Sequence, residues 1–277
     1  MKKILVPTDF SDCARVAENI GLEIAKKSNA EIHFLHIQST PVDWVKLTLE
    51  KEKRFPETMA QIGQAKNELS KLVSRAQKIG LKGEQFLAFN KGREEIDRHI
   101  EHHKHDFIVM GSHGSQGMKE ITGSNTQKVV RYAPAPVLVV KEKMEKLEVK
   151  NIVFASTFEK DAHKSFHKVV EFADLMKAPI HLLYVNTPYH FKETDVVQAA
   201  MQTFLKKCPR GSCTVNIYNA LNEERGIEKF SKSIDADVIA LATHGKTGFM
   251  KMLSPSITES LVNHSELPIL SVGINGK

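Results

Sequence analysis

Cysteine is the scarcest of the residues that would decide the class of this chain: Cys13, Cys208 and Cys213 are the three in 277 residues. An odd count without paired spacings excludes a disulfide-stapled secreted scaffold and agrees with a reducing compartment, so disulfides are not expected to matter. Long apolar runs are missing as well. Met1 to Val6 starts like a secretory leader, but Pro7, Thr8 and Asp9 end the run far short of the length a leader needs, and no other run is long enough to span a bilayer. The expectation is a cytoplasmic protein with no membrane partner. Charge of one sign is absent too: Lys+Arg 39 against Asp+Glu 33 leaves +6, and the two signs are interspersed, as in residues 50–54 and 141–146. No continuous basic footprint for nucleic acid is present.

What the chain does contain is core-forming sequence, with 41% hydrophobic residues and enough length for one large domain or two of ordinary size. Strands are predicted at 3–7, 31–37, 85–89, 106–110 and 136–140, each separated from the next by a helical pattern. The helix opened by Ser11 has a buried stripe of Ala14, Ala17, Gly21 and Ile24. A later one carries Ile62, Ala65, Leu69, Leu72, Ala76 and Ile79 at three- and four-residue spacing, a core stripe and not a cofactor box. Residues 41–56, around the sole tryptophan Trp44, read as a charged irregular excursion. Strands alternating with helices imply a parallel α/β sheet.

The pattern then starts again. Residues 150–158 align on 2–10 and residues 180–185 on 32–37 at a shift of 148, whereas residues 238–245 align on 107–114 at a shift of 131. The second copy is therefore 17 residues shorter, the loss falling between its second and fourth strands. Two copies imply two domains, 1–145 and 146–277, with a charged connector near residues 141–150.

The stretch 107–125 is the most informative, because an apolar strand runs into Gly111, Gly114 and Gly123 and then into a helix opened by Ser124 and Asn125. Glycine lets the backbone approach a ligand and aim consecutive N–H groups at one anion, and a helix start favours negative charge. Taken alone, a Gly-x-x-Gly is more often a surface turn. A strand before the glycines, a capped helix after them and a recurrence later in the chain favour a phosphate cradle.

Gly111-Ser-His-Gly114 with Gly123-Ser124, Pro7-Thr8-Asp9 after the first strand, and Ala135-Pro136 followed by Val137 to Val140 together resemble the universal stress protein (UspA-like) family in its tandem form, over almost the whole chain. The resemblance implies two Rossmann-like (HUP-type) five-stranded parallel-sheet domains with strand order 3-2-1-4-5, packed as an intramolecular pseudo-dimer through their fifth strands, with a homodimer also open. It also implies an ATP site in the first domain, with magnesium able to bridge the phosphates. Carried over by residue, Pro7, Thr8 and Asp9 would meet the nucleoside, Ile37 the adenine, and Met110, Gly111, Gly114, Gly123, Ser124 and Asn125 the ribose and phosphates. One departure stands out: eight residues separate Gly114 from Gly123, where the family has nine.

The second copy departs further, with Thr157 for Asp9, Ala242 for Gly111 and Pro255, which lacks an N–H, for Gly123. Its site is expected to be degenerate. Gly245-Lys246-Thr247 is no P-loop, since Ala240 stands where the first glycine is required.

Other candidates carry ordinary explanations. His99, His102, His103 and His105 crowd a helix end, and His99 and His103 share a face as zinc ligands can; with only Asp106 spaced as a third ligand, a solvated helix end is expected and no metal. Cys208 and Cys213 could be a redox pair or half a zinc site, but without a second pair they read as solvated loop thiols. Cys13, in the first helical turn near Asp9, is either a low-pKa thiol or a small packed residue. His113 could meet a phosphate or carry a proton, though shaping the loop is the ordinary role. The expected function is a stress-response or regulatory protein binding an adenine nucleotide and an unidentified protein partner. No catalytic residue is assigned; the alternatives are a non-nucleotide scaffold and a slow ATP hydrolase.

Overall fold

The computed structural model describes residues 1–89, 92–112, 126, 129–130, 133–208, 212–243 and 255–273. In the first half the strands are β1 (Lys3–Pro7), β2 (Glu31–Gln38), β3 (Gly83–Phe89), β4 (Phe107–Ser112) and β5 (Val137–Lys141). The helices are α1 (Asp12–Ser28), α2 (Leu49–Glu52), α3 (Pro56–Lys78) and α4 (Gly92–His103). The second half has β6 (Ile152–Ala155), α5 (Ala162–Met176), β7 (Ile180–Asn186), α6 (Thr194–Leu205), β8 (Cys213–Asn219), α7 (Glu223–Ser233), β9 (Val238–Thr243), α8 (Pro255–His264) and β10 (Ile269–Gly273). All ten strands form one sheet in the order β3-β2-β1-β4-β5-β10-β9-β6-β7-β8. Each half thus has the order 3-2-1-4-5 expected from the sequence.

Every pairing is parallel except that of β5 with β10, which is antiparallel with Leu270 opposite Leu138. The near-continuous apolar strands follow from helices on both faces, since neither face of β5 or β9 is left to water. On one face α1, α3, α5 and α6 cover a core that runs across both halves, with Phe107 stacked on Phe172 at 5.9 Å between ring centroids. The other face is covered by α4, α7, α8 and the segment carrying Val129 and Val130. Polar side chains pin the junction. Lys141 Nζ donates to the Val262 carbonyl at 2.6 Å, Ser112 Oγ to the same carbonyl at 3.3 Å, and Ser271 Oγ to the Val130 carbonyl at 3.1 Å. Burial holds the Lys141 ammonium down to about 8.

The repeat is written in the backbone more faithfully than in the side chains. Phe10 and Phe158, Asn29 and Lys177, and Lys104 and Asp235 are aligned pairs, and all six residues take positive φ. Asp106 accepts from the N–H groups of Lys2 and Lys3, as Asp237 does from those of Lys150 and Asn151. The 17-residue deficit of the second copy lies where α6, with 12 residues, replaces α3, with 23.

Two sequence expectations change here. Residues 41–56 are not featureless: they hold a 3-10 turn at Trp44–Lys46 and α2, and Trp44 is buried, with its ring 6.1 Å from that of Phe55. Cys208 and Cys213 are not solvated thiols either. They are joined in a disulfide across a Cα separation of 6.2 Å, within the span such a bond requires, and both are half-buried against the core. The approach of the end of α6 to the start of β8 places them together, which spacing alone does not reveal.

Candidate functional site

The carboxyl ends of β2, β1 and β4 are neighbours in the sheet, and they carry the described members of the predicted nucleotide set. Pro7 closes β1. Thr8 is buried and its polar groups are committed: its N–H donates to the Leu35 carbonyl at 2.9 Å, its carbonyl accepts from His36 Nδ1 at 2.8 Å, and its hydroxyl donates to Glu18 Oε1 at 2.6 Å. The same hydroxyl accepts from the Phe10 N–H at 3.0 Å, which holds Phe10 at φ 63. Asp9 is left exposed as the anionic side chain of the trio, its Oδ1 accepting from the Ser11 N–H at 3.0 Å. Ser11 in turn caps α1 by accepting from the Ala14 N–H at 3.2 Å.

Ile37 is half-buried and Met110 buried in one apolar cluster with Leu5 and Leu35, on the α4 face of the sheet. Strand alternation turns His36 and Gln38 the opposite way. There they line a groove of about 850 Å³ with Asp9, Phe10, Arg15 and Glu68, in which the Phe10 and His36 rings stack at 4.6 Å. Asp9 therefore stands between the switch point at β1 and β4 and this second opening.

Gly111 belongs to β4 itself, not to a loop, and its lack of a side chain has a local cause. A Cβ there would lie 2.7 Å from the carbonyl carbon of Cys13 and 2.8 Å from its Sγ, because the first turn of α1 packs directly on β4. Of the two sequence readings of Cys13, the packed one holds: burial first, then the charges of Glu142 and Asp9, push the thiol up to about 12. Gly114, Gly123, Ser124 and Asn125, with His113, lie outside the described residues.

In the second half, Thr157 Oγ1 is shut off from solvent without a hydrogen-bond partner among the described residues, Ala242 is buried at the end of β9, and Pro255 opens α8. No carboxylate stands at the position aligned with Asp9.

Of the histidines at and just beyond the end of α4, only His102 is exposed, and the others are not part of a solvated helix end. His105 is buried, His99 is half-buried, and both meet His33, a buried residue of β2 that the sequence reading passed over. Burial, with the neighbouring imidazoles, holds His99 and His105 down to about 3, so both rings are neutral near pH 7. The one available signal for His33 was its place between the apolar Ile32 and Phe34 in β2.

A continuous sheet of two 3-2-1-4-5 units, with Asp9 and Met110 at the strand ends where the order reverses, defines a duplicated doubly wound α/β protein. Residues 1–141 and 219–273 match the Universal stress protein family, and the chain belongs to that family. It is 31% identical over 157 residues to universal stress protein MJ0577 of Methanocaldococcus jannaschii, an alignment covering 51% of this chain and 96% of the relative. Universal stress protein YxiE of Bacillus subtilis is 30% identical over 148 residues, covering 50% and 98%. Among solved structures, a universal stress protein from Archaeoglobus fulgidus superposes with a TM-score of 0.76 at 21% identity, over 99% of this chain and 98% of that one. This last likeness establishes the two-unit fold. Among the described residues no helix is long and apolar enough to cross a membrane.

Proposed function

We propose that this protein is a cytoplasmic stress-response regulator that binds one adenine nucleotide, ATP with magnesium bridging its phosphates, in its first half. The observation that carries this reading is the convergence of Pro7, Asp9, Ile37 and Met110 at the adjoining carboxyl ends of β1, β2 and β4, where ligands of open α/β sheets sit. Exposed Asp9 is placed to accept from a ribose hydroxyl or a base, while Ile37 offers apolar surface to the adenine. In the sequence after β4, Gly114 and Gly123, followed by Ser124 and Asn125, are the residue types that suit a phosphate-binding run of backbone N–H groups, and they lie outside the described residues. Binding serves partner recognition and not turnover, because the chain has no P-loop lysine and Asp9 faces the nucleoside end.

Calorimetric titration with Mg-ATP should give one site per chain, lost in Gly114→Val, whose side chain enters the phosphate space, and kept in Gly245→Val. Two equivalent sites would contradict the degeneracy of the second half. Absence of binding would favour the scaffold reading, for which the eight-residue spacing between Gly114 and Gly123 speaks. Steady-state phosphate release of about one per second or faster would replace the binding protein with an enzyme.

A further inference from the structure

The amino-terminal end of β2, the end of α4 and the turn into β4 bring three imidazoles to one place. One nitrogen each from His33, His99 and His105 lie within 4.8 Å of one another. His105 Nε2 is 2.9 Å from His33 Nδ1, and His33 Nε2 is 3.0 Å from Glu31 Oε1. Two further ring nitrogens, His99 Nε2 and His105 Nδ1, are closed off from solvent and have no hydrogen-bond partner among the described residues. Withdrawing such atoms from water without a partner is costly, and leucine or phenylalanine would fill the same space without that cost. Packing alone therefore does not account for three histidines here.

The geometry points to a binding site for one divalent transition-metal ion of the zinc class, held by His33, His99 and His105. Neutral imidazole suits zinc, copper and nickel, and does not suit the hard cations calcium and magnesium. The Glu31 carboxylate accepts from His33 Nε2–H, which leaves Nδ1 as the lone pair facing the other two rings, the arrangement by which a carboxylate fixes the tautomer of a ligating histidine. Glu31 is itself held by Lys82 Nζ at 2.7 Å. A tetrahedral centre with bonds of about 2.1 Å needs ligand atoms roughly 3.4 Å apart, so binding replaces the 2.9 Å contact between His105 Nε2 and His33 Nδ1 by a slightly wider spacing and sets the His99 nitrogen at the same distance by side-chain rotation. Half-buried His103, whose ring centroid is 4.3 Å from that of His99 and 5.5 Å from that of His33, offers a fourth imidazole beside these three.

The site joins α4 and the turn after it to β2, at the end of the parallel strands opposite to Asp9 and Gly111. Its role is to tie these elements together, and it does not depend on the nucleotide reading.

The test uses the untagged full-length chain, stripped with a chelator, dialysed and titrated with Co²⁺ and then Zn²⁺. One equivalent of Co²⁺ should give the visible absorption of a tetrahedral nitrogen-ligated ion, Zn²⁺ should displace it, and the thermal midpoint should rise with zinc. His99→Gln and His105→Gln should each weaken zinc binding more than about 100-fold and Glu31→Gln about 10–100-fold, while exposed His102→Gln leaves it unchanged. Far-UV circular dichroism of the metal-free variants identifies any that fail to fold; half-buried His99→Gln is the variant on which the test rests if His105→Gln is one of them. A folded chain that develops no Co²⁺ absorption, or zinc binding that is the same in folded His99→Gln and the parent protein, would overturn the assignment.

Discussion

In α1, Glu18 is 3% exposed, accepts from Thr8 Oγ1 at 2.6 Å and lies 3.8 Å from the exposed Arg75 guanidinium. Burial raises its pKa above the ordinary 4.5, although the Thr8 hydrogen bond and Arg75 oppose that rise. A carboxyl whose folded pKa is raised binds more protons in the native state. Its contribution is present below the unfolded value and is lost as pH rises through the folded one. Glu18→Gln keeps the acceptor for Thr8 and removes the charge, so it should leave stability unchanged near pH 3 and raise it by about 1 kcal/mol at pH 7. Urea denaturation of both proteins across that range checks this, and a difference that shrinks as pH rises would contradict it. Gly111 teaches a related lesson at the same scale: a residue type that suggests a ligand is also required by Cys13 behind it.

Strands β5 and β10 carry the junction. Left unpaired, each would be the exposed edge of a five-stranded sheet, and the antiparallel ladder closes both edges at once. Leu138 and Leu270 oppose each other there, both with no exposed surface and both in the core that spans the halves. Each leucine-to-alanine change should cost about 2–5 kcal/mol. Because the two side chains are cross-strand neighbours, the double variant should depart from additivity by about 0.5–3 kcal/mol, measured by urea denaturation in a double-mutant cycle. Simple additivity would mean that the two strands do not share this core.

For the whole molecule, the shared sheet and the apolar layer common to α1, α3, α5 and α6 predict that neither half is self-sufficient at its junction edge. Coexpressed fragments 1–145 and 146–277 should copurify as a one-to-one complex in analytical ultracentrifugation. The short connector of the intact chain then acts by raising effective concentration. Two fragments that stay monomeric in each other's presence would mean that the junction contributes little.

The sequence by itself determined the alternation of strands and helices, the duplication at shifts of 148 and 131, the strand order through family resemblance, and the position of Asp9 just beyond the end of β1. These follow from local periodicity and turn chemistry, which a window of neighbouring residues contains. Only the tertiary structure decided which residues meet across the chain. It set His33 against His105 at a separation of 72 residues, turned the Thr8 hydroxyl to Glu18, put the Cys13 backbone under Gly111, and gave Val137 and Ser271 one antiparallel ladder. Strand alternation tells which face a histidine occupies, but not which helix covers that face. That choice belongs to packing between distant elements, where shape and burial act without a sequence period to announce them.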